Sequence, residues 1–157
     1  MHRRRNFSRL VAASTTFVAL LATLVATADT KTPFTARDLV TLQRVSDPQT
    51  SPDGRYVAFT VRATDLEANR GRTDIWLLDL TDRDATPRQL SRDAANDSDP
   101  RWAPDSRNIW FLSTRSGSSQ VWRLSLDGGE AVQITDLPLN VGSFKPAPDG
   151  ASLAFSL

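Results

Sequence analysis

The fold of this 157-residue chain is decided by a short motif that occurs three times. The copies are Ser51-Pro52-Asp53-Gly54, Ala103-Pro104-Asp105-Ser106 and Ala147-Pro148-Asp149-Gly150. Each copy is followed by a short apolar run. Proline suits the second position of a type I turn, aspartate bonds to nearby backbone, and glycine accepts the left-handed conformation that follows. The motif therefore predicts a tight turn that enters a β-strand. The second copy carries serine in place of glycine, which predicts some strain in that turn.

Two further markers repeat in phase with the first. They are Asp74-Ile75-Trp76-Leu77-Leu78 with Gln120-Val121-Trp122-Arg123-Leu124, and Arg88-Gln89-Leu90-Ser91 with Val132-Gln133-Ile134-Thr135. Three markers in one order, at a period of about 45 residues, match a four-stranded propeller blade. A two-sheet sandwich would also explain the strands, but it would not explain the period. The sequence therefore predicts an all-β chain, a β-propeller with Pro-Asp-Gly repeats of the TolB-like or WD-like kind.

The repeat also predicts where the blades lie. Blade 1 is expected at about 45–91, blade 2 at about 99–135 and a partial blade 3 at about 141–157, roughly two and a half blades. The strands of the two complete blades are expected at 45–50, 56–62, 74–80, 88–91, 99–103, 108–113, 120–125 and 131–135. Closed propellers need at least about four blades. The chain is therefore expected to be the front of a longer protein and to fold poorly alone.

Strand direction alternates within a blade, so the Pro-Asp turns should share one face of the propeller. The longer segments 63–73, 92–98 and 114–119 are expected on the opposite face, where binding loops are common. The run Ile109-Trp110-Phe111-Leu112 has no polar face. A sheet with one face in water would alternate polar and apolar residues, so this strand is expected to be buried on both faces.

Residues 1–28 have the pattern of a secretory signal peptide. A basic start with Arg3, Arg4 and Arg5 precedes the uncharged segment 10–25 and the small residues Ala26-Thr27-Ala28. Cleavage is predicted between Ala28 and Asp29, and an exported, periplasmic or secreted bacterial protein is expected. An uncleaved membrane anchor is the alternative, although the segment is short and polar for one. Arg4-Arg5-Asn6-Phe7 loosely resembles a twin-arginine signal, so the export route stays open.

Composition excludes several functions. Cleavage would leave 129 residues with 15 basic against 18 acidic side chains, a net charge of −3, and no Cys, His or Met. Without an imidazole or a thiol there is no Ser-His-Asp or Cys-His apparatus, no zinc site of the usual ligands and no disulfide. The acidic balance does not suit nucleic acid. No catalytic, cofactor-binding or metal-binding residue is therefore assigned, and no cofactor is expected.

A short helix is predicted within Pro33–Val45, in an N-terminal extension at 29–44. Thr35 suits the N-cap position, and Asp38 three residues later completes a capping box. Leu39, Val40 and Leu42 would form a small apolar face.

Two groups of residues could form binding sites. Asp93, Asn96, Asp97 and Asp99 could suggest a calcium loop, but the spacing lacks the EF-hand pattern and its bidentate glutamate. A solvated link between blades is the preferred interpretation. The tryptophans could form an aromatic surface, but their places in the repeat favour core packing. They are Trp76, Trp102, Trp110 and Trp122.

Several stretches together resemble the start of exported bacterial serine peptidases of the prolyl oligopeptidase family. These stretches are Phe34–Leu39, the turn at 51–54, Gly71–Leu80, Ser113–Trp122 and Asp127–Ala131. The similarity covers residues 33–157 and is strongest to the acylaminoacyl-peptidase and dipeptidyl-aminopeptidase type. It implies a propeller that restricts access to an α/β-hydrolase domain, so that short peptides are the substrates.

The same resemblance implies a nucleophile motif G-x-S-x-G, followed by Asp and His, on the hydrolase domain. Residues 117–121 lack the second glycine and are predicted to lie in a hairpin. No catalytic residue is therefore carried over, and this chain alone is expected to have no peptidase activity. In dipeptidyl enzymes of this type, propeller acids hold the substrate amino terminus. Asp65 and Glu67 lie on a predicted long loop, where a solvated role is preferred.

A non-catalytic periplasmic propeller of the TolB type, which binds protein partners, is the alternative. That type shares the repeat, but it places a separate α/β domain before the propeller. Here only about 15 residues separate Asp29 from the first predicted strand. The short helix directly before blade 1 also favours the peptidase interpretation.

Overall fold

The computed structural model describes residues 32–157. Within this described part of the chain, one helix, α1 (Ala36–Thr41), is followed only by strands. They are β1 (Arg44–Thr50), β2 (Tyr56–Asp65), β3 (Arg70–Asp79), β4 (Arg88–Gln89), β5 (Asp97–Trp102), β6 (Asn108–Ser113), β7 (Gln120–Ser125), β8 (Val132–Gln133), β9 (Ser143–Pro146) and β10 (Leu153–Ser156). Strands β1 to β4 form one antiparallel sheet in chain order, and β5 to β8 form a second. Strands β9 and β10 pair as a third sheet. The predicted propeller fold is confirmed, and the sheets are called blades 1, 2 and 3 below.

The three Pro-Asp turns have the same backbone. In each, the amide of the fourth residue donates to the carbonyl of the first, at 2.9, 3.2 and 2.9 Å in chain order. The fourth residue is left-handed every time, with φ of 72° at Gly54, 58° at Ser106 and 69° at Gly150. The strain predicted for the second turn is present, because Ser106 carries a Cβ in a conformation that disfavours one.

The turns lie side by side. The Ser106 hydroxyl oxygen accepts the Asp53 amide of blade 1 at 3.1 Å. A Cβ placed on Gly150 would lie only 3.0 Å from Cδ of Pro104, so the third turn packs on the second. The three turns therefore share one face of the blade array, here called the Pro-Asp face.

Replacing Ser106 by alanine should destabilise the fold by about 1 kcal/mol, because it removes the bond between blades and keeps the left-handed strain. Ser106→Gly loses the same bond but relieves the strain, so it should be about 1 kcal/mol more stable than the alanine variant. Urea denaturation of both variants measures the difference. Equal stability of the two would contradict the strain at this turn.

The core lies between the blades, as the apolar run of β6 predicted. Ile109 and Phe111 point toward blade 1, where they join clusters that include Leu77 and Ile75. Trp110 and Leu112 point the other way and pack with Val121, Val141 and Phe144. Alternate residues of one strand thus fill two interfaces, which is why the run has no polar face.

One expectation about local structure was wrong. The segment 63–73 is not a long loop, because β2 and β3 continue as a regular hairpin to the pair Asp65–Arg70 and leave only residues 66–69 as the turn.

The helix forms with the predicted capping box, in which Thr35 and Asp38 bond each other's backbone at 2.8 and 3.2 Å. Its apolar residues Leu39, Val40 and Leu42 are exposed. Within residues 32–157, no helix is long and apolar enough to cross a membrane.

Candidate functional site

The inner edge of the blade array is formed by the first strand of each blade. Strand β5 contacts β1 on one side and β9 on the other, whereas β4 and β8 are two-residue strands at the far edges of their sheets. Trp102 Nε1 of β5 donates to the Gln49 carbonyl of β1 at 2.8 Å. In a propeller the contacting edge surrounds the central channel, so β1, β5 and β9 form its wall. They are called the inner strands below.

Two of the inner strands carry the same bulge. Ser46-Asp47-Pro48 and Ser98-Asp99-Pro100 occupy matching places, and the strand register shifts there in both blades. Asp47 and Asp99 take left-handed φ values of 48° and 56°. Such bulges redirect a side chain out of the regular ladder. This bulge was not predicted, although the Ser-Asp-Pro repeat, five residues before each Pro-Asp turn, was the available signal.

The two bulge carboxylates share one cation. Arg101 Nη1 donates to Asp47 at 2.8 Å, and Nη2 of the same guanidinium contacts Asp99. Gln49 Nε2 also donates to Asp47, at 2.6 Å. The cluster therefore links β1 and β5 through charged and polar bonds that are partly shielded from water.

Burial raises the pKa of Asp99 above its ordinary value, the Arg101 guanidinium opposes that rise, and the Asp47 carboxylate adds to it. A folded-state pKa above the unfolded one means that the folded state holds its proton more tightly. The contribution of Asp99 to stability is therefore largest at low pH and falls as the pH rises through its folded pKa.

Removing Arg101 should raise the pKa of Asp99 further, because the cation that opposes the effects of burial and of the Asp47 charge would be lost. Removing the Asp47 charge with Asp47→Asn should lower it. NMR titration of the Asp99 carboxyl in Arg101→Met and Asp47→Asn measures the two opposite shifts. Arg107→Met, on the exposed Pro-Asp face, is the matched control. Shifts in the same direction in both test variants would show that the carboxylates do not compete for Arg101.

A groove of about 630 Å³ runs along the inner strands. Gln49, Arg101 and Lys145 line it with polar groups, and Trp102 and Phe144 add aromatic surface. This size falls within the range of ordinary ligand clefts. The groove and the charge cluster beside it are the candidate functional site.

The segment interpreted as a solvated link between blades, rather than as a calcium loop, contains a buried ion pair. Asp97 is fully buried, and Arg115 Nη2 donates to it at 2.8 Å. The guanidinium of Arg115 also lies 4.9 Å from the ring of Trp122 and 5.4 Å from that of Phe111. Asn96 Oδ1 accepts the Thr73 amide at 3.1 Å. The preferred interpretation of a solvated link was therefore wrong for Asp97, whose buried charge is balanced by an arginine 18 residues later.

The other residues considered in the sequence lie in turns or pack against the core. Asp65 Oδ1 accepts the Glu67 and Ala68 amides at 3.1 and 2.9 Å, which stabilises the hairpin turn. Trp110 is a core residue, while Trp76, Trp102 and Trp122 are half-buried. Gly117 lies in the β6–β7 turn, as the predicted hairpin requires. The predicted cleavage position between Ala28 and Asp29 lies outside the described residues.

Comparisons with known proteins agree with this architecture. The family model described as TolB beta propeller domain matches residues 28–157. Among curated proteins, the chain is 33% identical over 120 residues to the uncharacterized peptidase YuxL of Bacillus subtilis, which covers 76% of this chain and 18% of that protein. It is 24% identical over 119 residues to dipeptidyl-peptidase 5 of Porphyromonas endodontalis, covering 75% and 17%. The chain thus spans less than a fifth of the length of these relatives.

Solved structures show the same fold. TolB from Acinetobacter baumannii matches with a TM-score of 0.57 and 27% identity, over 69% of this chain and 25% of that one. The acylaminoacyl peptidase of Pyrococcus horikoshii matches with a TM-score of 0.60 and 23% identity, over 73% and 17%. The predicted relation to peptidases of the prolyl oligopeptidase type is confirmed, since a propeller segment of such a protein fits these relatives. With its repeated blades, inner strands and matched family model, the chain belongs to the TolB β-propeller domain family.

Proposed function

We propose that the chain is the propeller part of an exported serine peptidase that hydrolyses short peptides with aminoacyl or dipeptidyl release. The observation that carries this proposal is the 33% identity to a peptidase over 76% of the chain. Dipeptidyl-peptidase 5 aligns over a similar share. Catalysis is assigned to a Ser-Asp-His triad on an α/β-hydrolase domain beyond these 157 residues, and the substrates are short peptides that reach it.

The role proposed for the propeller is to gate access to that domain. Hydrogen bonds from Trp102 and Arg101 of β5 to β1 hold neighbouring inner strands close together. A channel with such a wall would admit an extended peptide and exclude a folded domain. Selection would then depend on the size and shape of the substrate, not on chemistry carried by the propeller.

A TolB-type scaffold that binds protein partners is the second candidate. Its support is the 27% identity to the Acinetobacter TolB structure and 43% identity over 44 residues to TolB of Bordetella pertussis. The second match covers only 28% of the chain, against 76% for the peptidase YuxL.

The test uses the protein encoded by the complete reading frame. Aminoacyl and dipeptidyl nitroanilides should be hydrolysed, a fluorophosphonate should label one serine and abolish turnover, and folded proteins should resist cleavage under the same conditions. Hydrolysis of folded proteins at a comparable rate would reject the gating role. Absence of both labelling and turnover, in a protein that retains other protein partners on purification, would favour the scaffold.

Export is proposed with cleavage after Ala28. Mass analysis of the N-terminus of the protein from a periplasmic or secreted fraction should begin at Asp29. An uncleaved product in the membrane fraction would support the anchor instead.

A further inference from the structure

One position on the inner strands carries a long polar side chain in each of blades 1, 2 and 3. Gln49, Arg101 and Lys145 each stand three residues before the proline of a Pro-Asp turn. Each also pairs with the matching residue of the second strand, as in Arg101 with Trp110 and Lys145 with Ala154. These residues therefore occupy the same level of the channel wall.

In blades 1 and 2 this side chain is paired with an aspartate that lies two residues earlier in the same strand. Gln49 bonds Asp47, and Arg101 contacts both Asp99 and Asp47. The polar group on the wall is thus neutralised or hydrogen-bonded within its own strand. A residue of blade 3 that lacks this acidic neighbour would therefore be free to bind a different charged group.

Blade 3 departs from the arrangement at two points. Its matching residue is Ser143, which has no charge and whose hydroxyl lies 3.0 Å from that of Ser156. Strand β9 also has a regular register, without the bulge that presents Asp47 and Asp99. Among residues 32–157, Lys145 has no carboxylate within ion-pair distance. The carboxylate of Asp99 already pairs with Arg101.

We propose that Lys145 is an anion subsite of the inner groove that binds a carboxylate of a peptide. Its ammonium is exposed, lines the groove of about 630 Å³, and has three donors for a charged acceptor. Trp102 and Pro146 supply apolar surface beside it. The carboxylate is that of a peptide C-terminus or of an acidic side chain. This proposal rests on the proposed function for the nature of its ligand.

The test measures binding by calorimetry to the full-length protein after fluorophosphonate treatment, so that no probe is hydrolysed. The probes are acetyl-tetraalanine as the free acid, the same peptide as the amide, and an amidated peptide with one internal glutamate. The free acid should bind and the plain amide should bind at least about tenfold more weakly, since a bond to a charged group is lost. Lys145-dependent binding of the glutamate peptide would identify an acidic side chain as a ligand, and binding of the free acid alone would identify the C-terminus.

Two variants and one control test whether binding of the free acid depends on Lys145. Lys145→Met should weaken binding of the free acid about tenfold, while Arg88→Met, which removes a charge from the outer strand β4, should leave it unchanged. Ser143→Asp restores the acid that the other blades carry beside this position, and should compete for the ammonium with a similar loss. If Lys145→Met binds both the free acid and the glutamate peptide as tightly as the wild type does, or the plain amide binds as tightly as both of them, the proposal is overturned.

Peptidase activity, measured separately on untreated protein, distinguishes the two proposals. If the protein hydrolyses its substrates but binds the free acid equally well with and without Lys145, only the subsite is rejected. Lys145-dependent binding without any turnover supports the subsite and rejects the proposed function.

Discussion

Arg115→Met is expected to lower the free energy of unfolding by about 3–5 kcal/mol, because it leaves a buried carboxylate without its cation. Asp97 is 0% exposed, and Arg115 at 2.8 Å is the cation that balances it. The other carboxylate oxygen, Oδ1, has no hydrogen-bond partner within the described residues, so no second group would compensate. The flat guanidinium also covers Trp122, and that packing would be lost as well.

Arg107→Met is the matched control for this variant. Arg107 pairs with Asp127, but the two side chains are 71% and 63% exposed. Exposed pairs contribute at most about 1 kcal/mol, so little change is expected. Adding Asp97→Asn to Arg115→Met should recover part of the loss, because the uncompensated charge disappears. Urea denaturation measures all three. Similar losses for Arg115→Met and Arg107→Met would refute the buried-charge explanation.

Phe111→Ala is expected to cost about 3–5 kcal/mol, the usual range for removing a buried phenylalanine. Phe111 is 1% exposed and packs with Ile75 of blade 1 and Leu124 of its own blade. Its loss would therefore open a cavity at the interface between blades 1 and 2 and also remove its contact with Leu124 in blade 2. Because Phe111 also contacts Arg115, its effect will not add simply to that of Arg115→Met.

Phe155→Ala controls for the loss of a phenyl ring. Phe155 lies on β10 and is 45% exposed, so its removal should cost about 1 kcal/mol or less. Thermal or urea unfolding, followed by tryptophan fluorescence, compares the two variants. If both lose the same stability, the interface between blades 1 and 2 does not carry the core that the structure shows.

The elements that sequence predicted best are those set by local chemistry or by repetition. The Pro-Asp turns recur with one backbone because proline and aspartate favour it wherever they stand. The capping box of Thr35 and Asp38 likewise needs only four residues. The burial of Ile109 to Leu112 on both faces was predictable because no polar residue interrupts the run.

The features that sequence missed depend on partners far along the chain. Asp97 looked like a solvated link residue because nothing near it indicates that Arg115, across a strand and a turn, will reach it. The bulges at Asp47 and Asp99 were missed for another reason. A residue before proline normally stays extended, whereas these two aspartates adopt left-handed backbone and place their carboxylates against Arg101, 54 and two residues away.

The uninterrupted order of strands within each sheet has a consequence for how the protein reaches its native state. Blade 1 takes all four of its strands from residues 44–89, and blade 2 takes its four from residues 97–133. Backbone pairing within a blade thus spans short sequence separations, which speeds folding. The strands of blade 1 can begin to pair as soon as its own residues have been synthesised, and Ala58, Ile75 and Leu77 then form the surface on which the next blade packs and which stabilises both blades. Assembly would proceed from the N-terminal blade onward, one blade at a time.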